Sequence, residues 1–167
     1  MDKTRVIKKA NEEEIEILIE TWKEKVKDLS SRGISVWNFD QFTRENLQEK
    51  YVNPEYYIGL LNNQVFGGFI LLDEDIHFWP NANGEEAFYF HKFVVKSKYS
   101  GQGLGKSILD WVKEYGKENH KEYIRLDFNE NREYLKNLYY GNGFKYVAVH
   151  SKNEQDKIVL AEYKIKY

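Results

Sequence analysis

The sequence predicts a single α/β domain spanning residues 1–167. Three observations carry that reading. Its 167 residues fall within the roughly 100–200 expected of one domain. Stretches with helical apolar spacing alternate with short β-branched and aromatic runs along the whole chain. No repeat, low-complexity stretch or linker interrupts them. Apolar residues make up 41%, including 13 Tyr, 10 Phe and 4 Trp, enough to build a core and too sticky for a disordered chain. The 25 basic and 27 acidic side chains leave a net charge of −2, so nothing general attracts nucleic acid or anionic membrane. The absence of cysteine excludes disulfides, thiolate nucleophiles and Cys-based zinc sites. With a charged start, Met1 to Arg5, and no apolar leader, a cytoplasmic location is expected.

Thr4 to Lys9 suits a short strand. Asn11 and Glu14 have capping-box spacing, and Ile15, Leu18, Trp22, Val26 and Leu29 form one apolar stripe of a helix ended by Ser30 to Gly33. A second helical stretch is expected over Phe39 to Glu49. Tyr56 to Leu72 is the longest uncharged run, but Asn62-Asn63-Gln64 at its middle makes it a hairpin, not a membrane span. After an acidic loop comes the strand Ala87 to Val95, with Tyr89, His91, Phe93 and Val95 expected on one face. A helix follows, with Leu104, Ile108, Trp111, Val112 and Tyr115 at helical spacing and Gly116 marking its end. Tyr123 to Phe128, Phe144 to Val149 and Ile158 to Ile165 read as strands, and Glu133 to Tyr140 as a short helix.

The informative feature is Ser100-Gly101-Gln102-Gly103-Leu104-Gly105-Lys106, placed between a strand and a helix. Glycine lets backbone turn sharply against a ligand, and a helix N-terminus offers unpaired N–H groups to phosphate. Three phosphate loops compete. The dinucleotide fingerprint fails on spacing, because the glycines stand at alternate positions and Lys106 follows. The nucleoside-triphosphate loop finds Gly105-Lys106-Ser107 but has Ser100 where its first glycine belongs. The third is the coenzyme A loop. The run Phe93-Val94-Val95 followed by Ser100 to Gly105, and later Leu138-Tyr139-Tyr140-Gly141-Asn142-Gly143-Phe144, resembles two ordered motifs of the GNAT superfamily of N-acetyltransferases. Two departures stand out: Ser100 replaces the family's leading Gln or Arg, and Arg132 stands where an Asn often contacts pantetheine.

The resemblance implies a mixed, mostly antiparallel sheet of about seven strands with about four helices, splayed at an acetyl-CoA cleft. It implies acetyl-CoA as co-substrate, no metal, and a cofactor site of Phe93, Val94, Val95, Ser100, Gly101, Gln102, Gly103, Leu104, Gly105 and Lys106, with Asn131 a substitute for the missing pantetheine contact. A neutral amine would attack the thioester directly. Tyr139 falls at the family's frequent general-acid position; packing in the aromatic core is its alternative role. His91 is the candidate base, since an imidazole ordinarily titrates near neutrality; Tyr89, or an acid from the Asp73 to Glu86 loop, is its rival. His77, His120 and His150 have no metal-ligand spacing. Trp37, Phe39, Phe42 and Trp79, with Glu85 or Glu86, would form an aromatic and acidic wall for a cationic amine. The expected partner is a small-molecule or peptide amine, on a monomer or homodimer, with neither nucleic acid nor membrane. A CoA-binding module without turnover and a nucleotide-binding protein are the alternatives.

Overall fold

The computed structural model describes residues 4–35, 37–82, 86–153 and 156–167. Its elements run β1 (Arg5–Lys9), α1 (Glu12–Ser31), α2 (Arg44–Lys50), β2 (Glu55–Leu61), β3 (Gln64–Leu72), β4 (Ala87–Val95), α3 (Leu104–Glu118), β5 (Tyr123–Asn129), α4 (Glu133–Gly141), β6 (Lys145–Asn153) and β7 (Asp156–Lys164). The hydrogen-bonded order is β1-β2-β3-β4-β5-β7-β6. The β4–β5 pair is parallel, and the β1–β2, β2–β3, β5–β7 and β6–β7 pairs are antiparallel. Among the described residues, no helix is long and apolar enough to cross a membrane.

The chain divides into two compact units. The first holds residues up to Leu71 and Lys92 to Leu104. Asn11 caps α1 with the expected reciprocal bonds to Glu14, and Ile15, Leu18, Ile19 and Trp22 are buried. Leu18 lies so close to β3 that a Cβ on Gly68 would meet its Cδ1 at 2.7 Å. Asn62 and Asn63 turn the β2–β3 hairpin in the left-handed region, φ +50° and +67°, as a two-residue turn of that hand requires. The expected helix from Phe39 to Glu49 is a 3₁₀ turn, Phe39–Gln41, followed by α2. The break falls at Thr43, whose hydroxyl accepts from the Asn46 N–H and starts the helix afresh.

The strand β4 departs from simple alternation. Lys92 takes φ +54° in mid-strand, and the next two residues, Phe93 and Val94, are both buried. A left-handed residue rotates the strand beyond it, so His91 and Phe93 do not continue one face as expected. The Lys92 carbonyl accepts from Trp22 Nε1 at 2.7 Å. Just beyond, the Val94 carbonyl presses onto β3 where a Cβ on Gly67 would stand 2.0 Å away. Backbone cannot yield that distance as a flexible side chain would. Gly67→Ala is therefore expected to destabilise the protein by about 3 kcal/mol, lowering the thermal midpoint by roughly 6–12 °C; calorimetry of the two proteins checks it.

The second unit holds Leu72 to His91 and Gly105 to Tyr167. The β4–β5 ladder runs from Ala87↔Tyr123 to Phe90↔Leu126 and ends there. Helix α3 does not stop at Gly116 but runs through it to Glu118. A Cβ at Gly116 would stand 2.8 Å from both Ile124 Cδ1 and Ile165 Cδ1, so this glycine serves close helix–sheet packing rather than termination. The end of α4 is held by Lys113 Nζ, which donates to the Asn142 carbonyl and lies over the Tyr163 ring.

Candidate active site

In the first unit, the loop after β4 is shaped by backbone. Gly101 and Gly103 stand at φ +78° and +73°, with open space where a Cβ would be. Their glycines are thus required by conformation, not by crowding. The loop is tied down by Arg5, which donates to the Gln102 carbonyl at 2.9 Å. Leu104 is buried and begins α3, whose first N–H groups have no intrahelical acceptor. Gly105 and Lys106 form the first turn of α3 in the second unit. Ser100 turns its hydroxyl back to the Ser97 carbonyl at 2.7 Å, and Lys106 pairs with Asp110 at 2.7 Å. With both side chains so engaged, what the loop can offer an anion is backbone N–H groups and the helix dipole.

Phe42 is fully buried and stacks on Trp22 with ring centroids 5.4 Å apart. Trp37 meets Phe42 edge-on. The Lys92 ammonium lies 5.3 Å from the Trp37 centroid and 5.8 Å from that of Phe42, so the chain's own cation occupies this aromatic surface. Phe39 faces the ammonium groups of Lys23 and Lys27.

In the second unit, the structure assembles a cluster of three titratable groups. His91 Nε2 is 3.0 Å from Asp75 Oδ2, and His91 Nδ1 is 3.5 Å from Asp127 Oδ2. Both carboxylates are largely buried. Burial pushes the Asp75 carboxyl up, but His91, the Phe78 N–H and the charge of His77 outweigh it and hold the carboxyl below its ordinary value. Asp75, from the loop whose acids were expected as rivals to His91, lies against that ring. These three residues bring ligand atoms within 4.8 Å of one another, a donor set a divalent cation can use. The ring turns a different nitrogen to each carboxylate, so the three groups form a compact imidazole–dicarboxylate cluster. His77 and His150 approach each other at 5.9 Å between rings, with Phe78 beside them.

Tyr139 lies on α4, 3% exposed, among Phe128 and Phe144. Burial pushes its phenol far up, the Asp127 charge adds to this, and Arg132 opposes it. Asp127 thus acts on both His91 and Tyr139. Asn131 sits in the turn before α4, its N–H donating to Asn129 Oδ1 at 2.9 Å. Arg132 precedes α4 without a side-chain cap.

Tyr89 is drawn into a different network. Arg125, 7% exposed, donates to Tyr89 Oη at 3.1 Å, Glu86 Oε1 at 2.8 Å and Glu162 Oε2 at 2.9 Å. Its guanidinium lies over Trp79 and Tyr123. Burial raises the Tyr89 phenol, with Arg125 opposing. Glu86 and Trp79 are therefore engaged with an internal cation; Glu85 lies outside the described residues. Sequence reasoning missed Asp127 and Arg125, and reached Asp75 only as one of the acids of the Asp73 to Glu86 loop. No local signal marked Asp127: its place follows from the parallel register Phe90↔Leu126, one step beyond which stand His91 and Asp127.

A family model described as "Acetyltransferase (GNAT) domain" matches residues 25–167. A stretch of 70 residues, 42% of this chain, is 30% identical to the uncharacterized N-acetyltransferase YesJ of Bacillus subtilis, spanning 39% of that relative's length. Among solved structures, a GNAT-family acetyltransferase of Staphylococcus aureus superposes with TM-score 0.72 at 21% identity, covering 98% of this chain and all of that one. The putative acetyltransferase yncA of Salmonella typhimurium, solved with acetyl-CoA, gives 0.68 at 13%, covering 97% and 94%. PaiA N-acetyltransferase of Thermoplasma acidophilum, solved with coenzyme A, gives 0.70 at 19%, covering 96% and 99%. These three likenesses show the fold.

Proposed function

Because the chain belongs to the GNAT acetyltransferase family, we propose that it moves an acetyl group from acetyl-CoA to a primary amine by direct attack. The observation that carries this reading is the loop from Ser100 to Leu104, whose left-handed Gly101 and Gly103 lead into the N-terminus of α3. Its backbone N–H groups, with those of Gly105 and Lys106, take the pyrophosphate. Phe93, Val94 and Val95 offer backbone to the pantetheine arm, and Asn131 offers its amide. A neutral amine attacks the thioester carbon, the tetrahedral intermediate collapses, and the C–S bond breaks to release CoA thiolate. The amine proton leaves through His91, with Asp75 and Asp127 as its flanking counter-charges. Tyr139 gives its phenolic proton to the thiolate and is reprotonated from solvent. Trp37, backed by the buried Phe42, and separately Trp79 are the proposed acceptor contacts, the first faced by Lys92 and the second by Arg125. The acceptor is a small molecule or a peptide.

Release of CoA thiol from acetyl-CoA across a broad panel of amines tests this reading. The engaged Ser100 hydroxyl favours a second one, a CoA-binding module without turnover. That reading requires acetyl-CoA binding with no thiol release for any amine. Binding of ATP or GTP in place of CoA would instead revive the nucleotide-binding alternative.

For the amine proton, His91→Ala is expected to lower turnover and to remove from the pH–rate profile the limb an imidazole supplies, with acetyl-CoA affinity nearly intact. Asp75→Asn should do the same in part. The Asp75 carboxyl is depressed in the folded protein, so its contribution to stability is full above the ordinary carboxylate range and is lost as pH falls through the folded value. Asp75→Asn should therefore flatten the acid side of the stability profile, read by thermal melts from neutral pH downward. Unchanged pH–rate profiles in both variants would move the base to bulk water.

A further inference from the structure

Arg125 brings a permanent charge into the second unit, outside the proton path of acetyl transfer. It is 7% exposed, and a charge so buried must be paired and hydrogen-bonded. Glu162 pairs with it from β7 at 2.9 Å, through the register Arg125↔Glu162. Charge balance needs no second carboxylate. Yet Glu86 accepts from the same guanidinium at 2.8 Å, and the Trp79 ring covers it with its centroid 4.7 Å away. Both residues belong to the connection between β3 and β4, so these contacts fasten that connection to the sheet.

The point of fastening fixes Asp75. Tyr89 stands beside Arg125 across the parallel β4–β5 pair. Two residues on, along the same face of each strand, His91 and Asp127 stand beside each other at 3.5 Å. Arg125 therefore takes one rung of the ladder and His91 the next, about 7 Å further along. Trp79 lies on the first rung, over Arg125 and against Tyr89. The turn leading to Trp79 is closed on Asp75: the Trp79 N–H donates to the Asp75 carbonyl at 2.8 Å, and the Phe78 N–H to its Oδ1 at 3.4 Å. The other oxygen, Oδ2, then meets His91 Nε2 at 3.0 Å. Asp73 and Glu74, its chain neighbours, are exposed, and a slip of one residue would bring the wrong side chain to the ring. We infer that Arg125 is a positioning residue: by holding Glu86 and Trp79 on one rung, it places the Asp75 carboxylate against the imidazole on the next.

The test reads His91 directly, in the full chain labelled with ¹⁵N-histidine at one neutral pH, with His91→Gln assigning the signals. Asp75→Asn moves the His91 Nε2 resonance. Arg125→Lys keeps the charge and loses the planar fork, and is expected to move that resonance in the same direction. Glu86→Ala, which leaves Arg125 paired with Glu162, should do likewise and covers the case in which Arg125→Lys fails to fold. Because Arg125 acts through Asp75, the double variant Arg125→Lys with Asp75→Asn should match Asp75→Asn alone, whereas independent effects would add. A turnover arm rests on the transferase reading with His91 as base. There, single-turnover acetyl transfer should fall about tenfold in Arg125→Lys and in Asp75→Asn, and no further in the double variant, with acetyl-CoA affinity within about twofold. An unmoved His91 resonance in Glu86→Ala and in folded Arg125→Lys overturns the inference, and so does a double variant in which the two shifts add. The expected resonance shifts with parental turnover would support the positioning of Asp75 by Arg125 and remove His91 as the base.

Discussion

Gly103→Asp is expected to abolish coenzyme A binding while the protein stays folded. Gly103 stands at φ +73° with nothing within 4 Å of an added Cβ, so the substitution meets strain but no collision. The left-handed conformation costs an L-residue about 1–2 kcal/mol, less than a stable domain's roughly 5–15 kcal/mol margin. The effect on binding is larger. A carboxylate about 4 Å from a phosphate charge costs about 1 kcal/mol in water and about 4 kcal/mol in a partly desolvated site. Against the two charges of a pyrophosphate that is about 2–8 kcal/mol, roughly thirtyfold to complete loss. Calorimetric titration with CoA checks it, with Gly103→Ala separating strain from charge. A folded Gly103→Asp protein with parental CoA affinity would remove the loop as the pyrophosphate site. Gly105→Asp should also abolish binding, but Gly105 is buried in the first turn of α3, so loss of fold would cloud that variant.

The second large effect is expected at the leaving group. Tyr139→Phe keeps the ring that packs between Phe128 and Phe144 and removes only the hydroxyl. Stability should change by about 1 kcal/mol or less. Burial holds the phenol protonated through the whole working pH range, so it enters the reaction as a donor and not as a base. If it protonates the departing thiolate, its loss should slow acetyl transfer by about 10²–10⁴-fold with acetyl-CoA affinity within a few-fold. Slow product release would mask part of this in steady state, so the measurement is single-turnover transfer at saturating acceptor. A parental rate would assign Tyr139 to the aromatic core alone, which its 3% exposure by itself would equally explain.

Element order was legible in the amino-acid sequence because it follows from local rules. Apolar stripes such as Ile15, Leu18 and Trp22, the Asn11–Glu14 cap, the Asn62–Asn63 turn and the alternate glycines of the loop each act over a few residues, and each appears where expected. What only the tertiary structure decided is set by contacts between segments far apart in the chain. Lysine has no preference for left-handed backbone, so nothing local marks Lys92 as the place where β4 turns; Trp22 of α1 holds the carbonyl there. Gly116 looks like a helix end until Ile124 and Ile165 are seen to need its space. Glycine's two uses, freedom of φ and absence of volume, are identical in sequence and separable only when the neighbours are known. His91 was visible as a candidate, but not its place between Asp75 and Asp127. That depends on a parallel strand register and on the path of a loop, and neither carries a local signal, because long-range pairing is chosen by the packing of the whole sheet.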